Sequence, residues 1–275
     1  MSAKPIVKWA GGKRQIIDKL IECLPRKYNN YYEPFIGGAA LLLELMPEKA
    51  VINDVNSELL SIYRCLQNDN YYAELIELLK EHELKHNEDY YYEIRNMDRD
   101  ANFLNLSLPV RAARALYLNK SCFNGLYRVN AKGYFNVPSA RKEKVNTFEE
   151  ENIKAVHDYF KNHVTILEGD FVKAVENATK GDLVYFDPPY DPIENKESFT
   201  SYTKDDFGKD DQKRLADLFK ELDKKGVYVM LSNHNTKFIN ELYSEYNIHV
   251  INARRMINAD SKGRGNVEEV IITNY

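Results

Sequence analysis

The sequence predicts an α/β protein: a doubly wound, largely parallel sheet interrupted by a mostly helical insert. Three observations predict it. Short apolar runs that end on acidic or turn residues cluster at both ends of the 275-residue chain. Helical patterns separate these runs. The stretch between them, about 55–162, carries almost no strand signal. Strands covered by helices on both faces read as continuous apolar runs, which is the pattern found.

Taken in order, Tyr31–Phe35 reads as a short strand entering the glycine turn Ile36-Gly37-Gly38-Ala39, and a helix follows over Ala40–Leu45. Ala50–Asp54 is a second strand that ends on a carboxylate. In the insert the clearest helical patterns are Leu75–Leu84 and Pro109–Leu118, the latter with proline at its start. Strand signal returns at Val164–Leu167, which runs into Glu168-Gly169-Asp170. Leu183–Phe186 follows and runs into Asp187-Pro188-Pro189-Tyr190, and Val227–Leu231 into Ser232-Asn233-His234. A helix over Asp210–Lys224 separates the last two, and Ile248–Ile251 and Val267–Thr273 close the chain.

Composition narrows the function classes. Hydrophobic residues make 44% and charged residues 29%, enough for a sizeable core and against disorder. The net charge of −4 excludes a globally basic, histone-like binder, but not an enzyme with a local basic face. Such a face is suggested between Arg111 and Lys144, where eight Lys/Arg meet one acid and alternate with Phe123, Tyr127, Tyr134 and Phe135. The preceding segment, Glu74–Asp100, is net −5. Cys23, Cys65 and Cys122 are far apart and form no CxxC, which suits a reducing compartment. No signal-peptide core and no run approaching the ~20 apolar residues of a membrane span is present, so a soluble, cytoplasmic protein is expected.

Four segments could carry chemistry. Asp187-Pro188-Pro189-Tyr190 stands at a strand end, where ligands of open α/β sheets gather. Two prolines remove two backbone donors and fix the turn. A carboxylate and a prolyl carbonyl can then accept from an NH2 group while the tyrosine ring stacks beside it; the plain alternative is a strand-ending turn with a buried tyrosine. The Phe35–Gly38 turn with Asp54 at the next strand end resembles nucleoside-binding logic, in which the acid takes ribose hydroxyls. It is not GxGxxG, and Asp54 is also placed to cap a helix over Val55–Leu66. Lys8-Trp9-Ala10-Gly11-Gly12-Lys13 is not a Walker A loop but could hold an anionic or nucleoside ligand. His82-Glu83-Leu84-Lys85-His86 fits HExxH. Its polar flanks and the lack of a further histidine ligand argue for a solvated helix end, so no metal is expected. His157, His163, His234 and His249 are scattered, and Gly-x-Ser-x-Gly is absent.

In order along the chain, KWAGGK, EPFIGGAA, INDVN, GDF, YFDPPY and LSNH resemble the Dam-type DNA adenine-N6 methyltransferases. CFNGLYR, GYFNVP and the closing EEVIITNY extend the likeness over essentially the whole chain. Ala39 stands where the family's last turn glycine falls, and Phe123 where some relatives have tyrosine. The resemblance implies a Rossmann-like methyltransferase sheet over 1–60 and 163–275, which binds S-adenosylmethionine. It implies a target-recognition domain over 61–162 that carries a β-hairpin. Trp9, Lys13, Phe35, Gly37, Gly38, Asp54, Asp170 and Phe171 would then line the cofactor pocket, with Asp187 between cofactor and target. Asp187, Pro188 and Tyr190 would hold the flipped adenine. Lys8, Phe123, Asn124, Leu126, Arg128 and Pro138 would meet DNA, with Arg128 reading a guanine of GATC. Further implications are double-stranded DNA as substrate, a monomer, a direct in-line transfer without metal, and a restriction endonuclease acting on the same site without forming a stable complex. A DNA-binding protein without catalysis is the alternative from another class.

Overall fold

The computed structural model describes residues 3–193, 207–254 and 266–275. Its seven strands form one sheet: β1 Tyr31–Glu33, β2 Ala50–Asp54, β3 Val164–Glu168, β4 Leu183–Phe186, β5 Tyr228–His234, β6 Asn247–Arg254 and β7 Asn266–Thr273. Their spatial order is β3-β2-β1-β4-β5-β7-β6, and β7 alone runs antiparallel to its neighbours. From β1 the chain winds outward to β2 and β3, then returns to place β4 on the other side of β1. The crevice at the carboxyl ends of β1 and β4 is therefore the switch point at which such sheets bind ligands.

The helices are α1 Ile17–Glu22, α2 Ala40–Leu45, α3 Ser57–Cys65, α4 Asp69–Lys85, α5 Glu88–Asn96, α6 Leu108–Ser121, α7 Glu150–His163, α8 Phe171–Ala174, α9 Lys209–Lys224 and α10 Lys237–Leu242. Local sequence explains their starts. Asn56, Asn68 and Asn87 each accept a backbone N–H from the first turn of α3, α4 and α5, and Pro109 lies in the first turn of α6. Asn56 caps α3 by accepting from the Leu59 amide at 3.0 Å, so the capping role open to Asp54 falls to its neighbour.

Alternation in the central strands feeds two cores, because successive strand side chains point to opposite faces. Leu183, Tyr185 and Met230 join a core with Leu20, Leu60 and Phe160 on one face. Val184, Phe186 and Leu231 join Leu215, Phe219 and Tyr243 on the other. Each such side chain, fully buried, contributes about 1.5–3 kcal/mol. A third cluster joins Tyr91 and Ile94 of α5, Tyr117 and Leu118 of α6, and Cys122, Phe135 and Val137 of the loop beyond.

That loop, here termed the hairpin, stands where the resemblance implies a β-hairpin, but no β-strand is formed in it. It pairs through two isolated bridges, Cys122 with Ser139 and Val129 with Phe135. Side chains from the acidic segment complete it: Asp98 accepts from the Phe135 amide at 2.8 Å, and Arg99 donates to the Phe135 carbonyl at 2.8 Å. The two charge runs in the sequence thus partly pair with each other. Arg114 bridges Asp98 at 2.8 Å and Arg141 bridges Glu88 at 3.3 Å, while Arg111 bridges Glu58, which lies outside the acidic run, at 2.6 Å. Arg111 and Arg114 are therefore structural and leave the exposed basic face to the residues that follow. Among the described residues no helix is long and apolar enough to cross a membrane.

Candidate active site

The crevice is built from turns that follow β1, β2 and β3. Buried Asn53 ties them together: its side-chain amide donates to the Pro34 carbonyl at 3.0 Å and to the Gly169 carbonyl at 2.9 Å. In the β1 turn, Gly37 has φ +45°, and a Cβ there would lie 2.8 Å from Trp9 Cδ1. The Trp9 indole therefore lies over this turn, and only glycine admits it. Ala39 has φ +58° in the left-handed region, which explains why a glycine is at home there. Tyr63 from α3 donates to the Gly37 carbonyl at 2.7 Å.

Asp54 projects into this turn. One carboxylate oxygen accepts from the Gly37 amide at 3.1 Å and the other from the Asn56 amide at 3.0 Å. Burial raises its pKa to about 6 against the pull of these backbone donors. Each oxygen keeps a second lone pair, a donor set that fits a ribose diol. Beside it, the rings of Phe35, Phe171 and Phe207 meet, with Phe35 5.4 Å from Phe171 and 5.7 Å from Phe207. This apolar wall fits the face of a nucleobase. Asp170 caps α8 through the Val172 amide at 2.9 Å and pairs with Arg214 at 2.5 Å. The Arg214 guanidinium also lies over the Phe171 ring at 4.7 Å. The pair with Arg214 holds the Asp170 carboxyl below its ordinary value, against partial burial.

Across the switch point, β4 delivers Asp187. Lys13 meets it: buried Lys13 Nζ lies 2.8 Å from Asp187 Oδ1, donates to the Gly11 carbonyl at 2.7 Å and stands 4.5 Å from the Tyr190 ring centroid. Lys13 thus reaches Asp187, the residue expected between cofactor and target. Ser232 Oγ donates to Asp187 Oδ1 at 3.0 Å and is itself 2.9 Å from the Tyr185 hydroxyl. Burial raises the Asp187 carboxyl, and the Lys13 charge and these hydrogen bonds oppose it. Pro188 is buried, and the Pro189 carbonyl is committed to Gln212 at 2.8 Å. The Tyr190 hydroxyl donates to Glu269 at 3.1 Å, and its ring meets His234 edge-on at 4.8 Å.

Behind β4, Glu33 is buried between Tyr31, whose hydroxyl donates to it at 2.8 Å, and the Lys13–Asp187 pair. Burial raises its pKa to about 8, so it is neutral at pH 7. Glu33, Ser232 and Glu269 had no role in the sequence reading. All three sat inside quoted motifs, but spacing does not reveal a partner far along the chain.

The second group of predicted residues gathers on the hairpin. Phe123, Asn124, Arg128 and Pro138 are exposed and Leu126 is half-buried. The Phe123 amide donates to the Pro138 carbonyl at 2.9 Å, and Arg128 Nε donates to Asn136 at 2.7 Å. Exposed Lys8 lies against this turn. Its backbone exchanges two hydrogen bonds with the Asn119 side chain, at 2.8 and 2.7 Å. Next to Lys8, Trp9 packs on Tyr127 at 5.4 Å, so one tryptophan touches both the glycine turn and the hairpin.

HExxH is spent on structure. His82 bonds the Tyr90 hydroxyl at 2.7 Å, His86 the Tyr117 hydroxyl at 2.7 Å, and Glu83 accepts from the Thr147 amide and hydroxyl at 2.5 and 2.6 Å. Burial lowers the His82 pKa to about 4. No group of three or more potential metal ligands occurs among the described residues.

The D12 class N6 adenine-specific DNA methyltransferase profile matches residues 9–257. The chain belongs to this family. Its relatives include the Type II methyltransferase M1.LlaDCHI of Lactococcus lactis subsp. cremoris, 47% identical over all of this chain and 96% of that protein. The Type II methyltransferase M.MjaIII of Methanocaldococcus jannaschii is 42% identical over both full lengths. The DNA adenine methylase of Haemophilus influenzae is 34% identical over 98% of this chain and 92% of its own. As a D12-class enzyme the protein methylates adenine N6 in DNA, with S-adenosylmethionine as methyl donor.

Proposed function

We propose that the enzyme methylates adenine within GATC in duplex DNA, after flipping the base out of the stack, by direct in-line transfer. The observation that carries the site assignment is Lys13, whose ammonium sits against the Asp187 carboxylate and over the Tyr190 ring. A nitrogen bearing positive charge is stabilised at that point, and positive charge develops on adenine N6 as it is alkylated.

The N6 lone pair is conjugated with the purine ring and is a poor nucleophile. Asp187 and the Pro188 carbonyl accept hydrogen bonds from its two N–H groups and favour a pyramidal nitrogen; as the N–CH3 bond forms and the sulfonium S–CH3 bond breaks, one of the two protons is lost. Tyr190 stacks on the base, which cannot be reached inside the duplex. Ser232 holds the Asp187 carboxylate in place. S-adenosylmethionine supplies an electrophilic sulfonium methyl. Asp54 takes its ribose hydroxyls, Asp170 and the Phe171 backbone its adenine, and Trp9, Lys13, Phe35, Gly37 and Gly38 line the pocket.

On the DNA side, Phe123 and Asn124 wedge into the duplex, Leu126 and Pro138 contact neighbouring bases, and Lys8 and Arg128 meet the two guanines. Residues 1–60 and 163–275 form the catalytic unit and 61–162 the recognition unit. A cytoplasmic monomer, paired in the cell with a restriction endonuclease of the same site, fits the Type II relatives.

The test is transfer of labelled methyl onto DNA of mixed sequence, followed by mapping of the modified adenines. Asp187→Ala should lose about 3 kcal/mol of transition-state stabilisation, roughly two orders of magnitude in rate, while its melting temperature holds. A folded Asp187→Ala protein with near-normal activity would falsify the assignment. Modification mapped outside GATC would overturn the recognition site and leave the adenine chemistry standing.

A further inference from the structure

We infer that Glu269 is a positioning residue that fixes the direction of the Tyr190 ring before a base arrives. This rests on the reading that Tyr190 receives the flipped adenine. Tyr190 lies in a turn, where no helix or strand ladder fixes its backbone. Its ring direction must therefore come from what the side chain touches, and a freely turning ring offers a base no stacking surface of fixed orientation. The Tyr190 hydroxyl is within hydrogen-bonding reach of Asp187 and Ser232, and three further contacts hold the side chain. Lys13 Nζ stands over the ring, the His234 ring packs edge-on, and the hydroxyl donates to Glu269 Oε2 at 3.1 Å.

The last two come from one rigid source. His234 and Glu269 are direct partners across the antiparallel β5–β7 ladder. His234 Nδ1 is also 2.7 Å from the carbonyl of Asp191, the residue after Tyr190. The neighbouring Glu268 serves a different contact, accepting from Asn235 at 2.8 Å. The antiparallel strand β7 thus anchors the far end of Tyr190, while the parallel strand β4 delivers its near end. Glu269 reaches no reacting atom and acts through Tyr190.

The experiment uses the full chain with two duplexes: one with adenine at the methylated position for kinetics, and a matched one with 2-aminopurine there, which lacks the 6-amino group, for fluorescence. Tyr190→Phe, Glu269→Leu, Glu269→Gln and the Tyr190→Phe/Glu269→Leu double variant are compared with wild type. Methylation kinetics, aminopurine fluorescence and S-adenosylmethionine affinity are read for each. Glutamine still accepts the hydroxyl, so Glu269→Gln should stay within about threefold of wild type, whereas losing the hydrogen bond in Glu269→Leu should cost about tenfold in kcat/KM. Tyr190→Phe should lose at least as much as Glu269→Leu, because the Tyr190 hydroxyl also faces Asp187 and Ser232, and the double variant should be no worse than Tyr190→Phe, because the bond to Glu269 is already lost there. Aminopurine should be brighter in these variants than in wild type, with cofactor affinity unchanged. Multiplying losses, or a Glu269→Gln variant as poor as Glu269→Leu, would overturn the inference. If Glu269→Leu does not fold, Tyr190→Phe and Glu269→Gln decide: equal, large losses in both reject positioning through this bond. A fully active Tyr190→Ala protein would instead reject the site reading on which the inference rests.

Discussion

Asp54 and Glu33 are both carboxyls whose burial raises the pKa, and the sign of the consequence can be worked out for each. For Asp54, with its pKa near 6, the folded chain binds more protons than the unfolded one between the ordinary carboxyl value of 3.8 and about 6. Its contribution to folding is therefore largest below that window and is lost as pH rises through about 6. Cofactor binding should move the other way, since two ribose hydroxyls need the ionised carboxylate as acceptor. S-adenosylmethionine affinity should fall by up to about tenfold per pH unit below 6, and Asp54→Asn should flatten that dependence. Calorimetric titration between pH 5 and 8 checks this; a wild-type affinity that is flat with pH would separate Asp54 from the ribose. For Glu33 the window runs from 4.5 to about 8. Its stabilisation is complete below 4.5 and is lost as pH rises through about 8, with a total on the order of a few kcal/mol. Glu33→Gln keeps an acceptor for the Tyr31 hydroxyl and should melt higher than wild type at pH 9 but not at pH 5. Identical melting curves at both pH values would mean that Glu33 is not held neutral. At this scale the sequence showed the chemistry-bearing types at the strand ends, Asp54, Asp187 and Tyr190, because strand-end carboxylates follow from local pattern. It did not show that Lys13 pairs with Asp187, a contact made only when the fold closes.

Elements were legible in proportion to how local their signals are. Ala40–Leu45 and Ala50–Asp54 come out at the expected bounds because each is an apolar run closed by turn or polar residues. The β6–β7 pair is longer than expected, since an antiparallel ladder extends pairing into residues whose own pattern is polar, such as Asn252 and Glu268. The hairpin forms no regular ladder and leans on Asp98, Arg99 and the third core. It also depends on Gly125, whose φ is +65° and where a Cβ would lie 2.5 Å from Lys8 Cδ and 2.8 Å from Lys8 Cβ. Gly125→Ala must displace Lys8 and shift the turn bearing Phe123 and Asn124, beyond the roughly 1–2 kcal/mol cost of left-handed backbone. DNA affinity should drop severalfold or more in a gel-shift titration, while S-adenosylmethionine affinity stays. Gly133→Ala is the control: φ is +84° but no atom lies within 4 Å, so it carries backbone strain without the collision. Equal DNA affinity in the two variants would argue against docking of Lys8 on the hairpin.

At the scale of the whole molecule, strand order and the merging of insert with sheet were beyond reach of local pattern, because both depend on long-range pairing. Their result is that one N-terminal segment touches the Asp187 site, the glycine turn and the hairpin loop. Lys8 packs on the hairpin, Trp9 bridges hairpin and glycine turn, and Lys13 reaches Asp187. DNA approaches a protein of net charge −4, so its attraction must be local. The structure divides the basic run for this purpose. Arg111 and Arg114 are spent on Glu58 and Asp98, whereas Arg128 and Lys132 are exposed on the hairpin. Arg128 is also oriented, since Asn136 holds its Nε and leaves the two terminal nitrogens to form a fork. Such a fork matches guanine O6 and N7, a pairing worth about 1–3 kcal/mol of discrimination. Arg128→Ala should therefore relax preference at one guanine position of the methylated site. Lys132→Ala should weaken all sites alike and reduce the salt slope by about one. Methylation of the mapped site and each single-base variant, at fixed and varied salt, separates the two. Uniform loss in Arg128→Ala would reduce that residue to a phosphate contact and move guanine reading elsewhere on the hairpin.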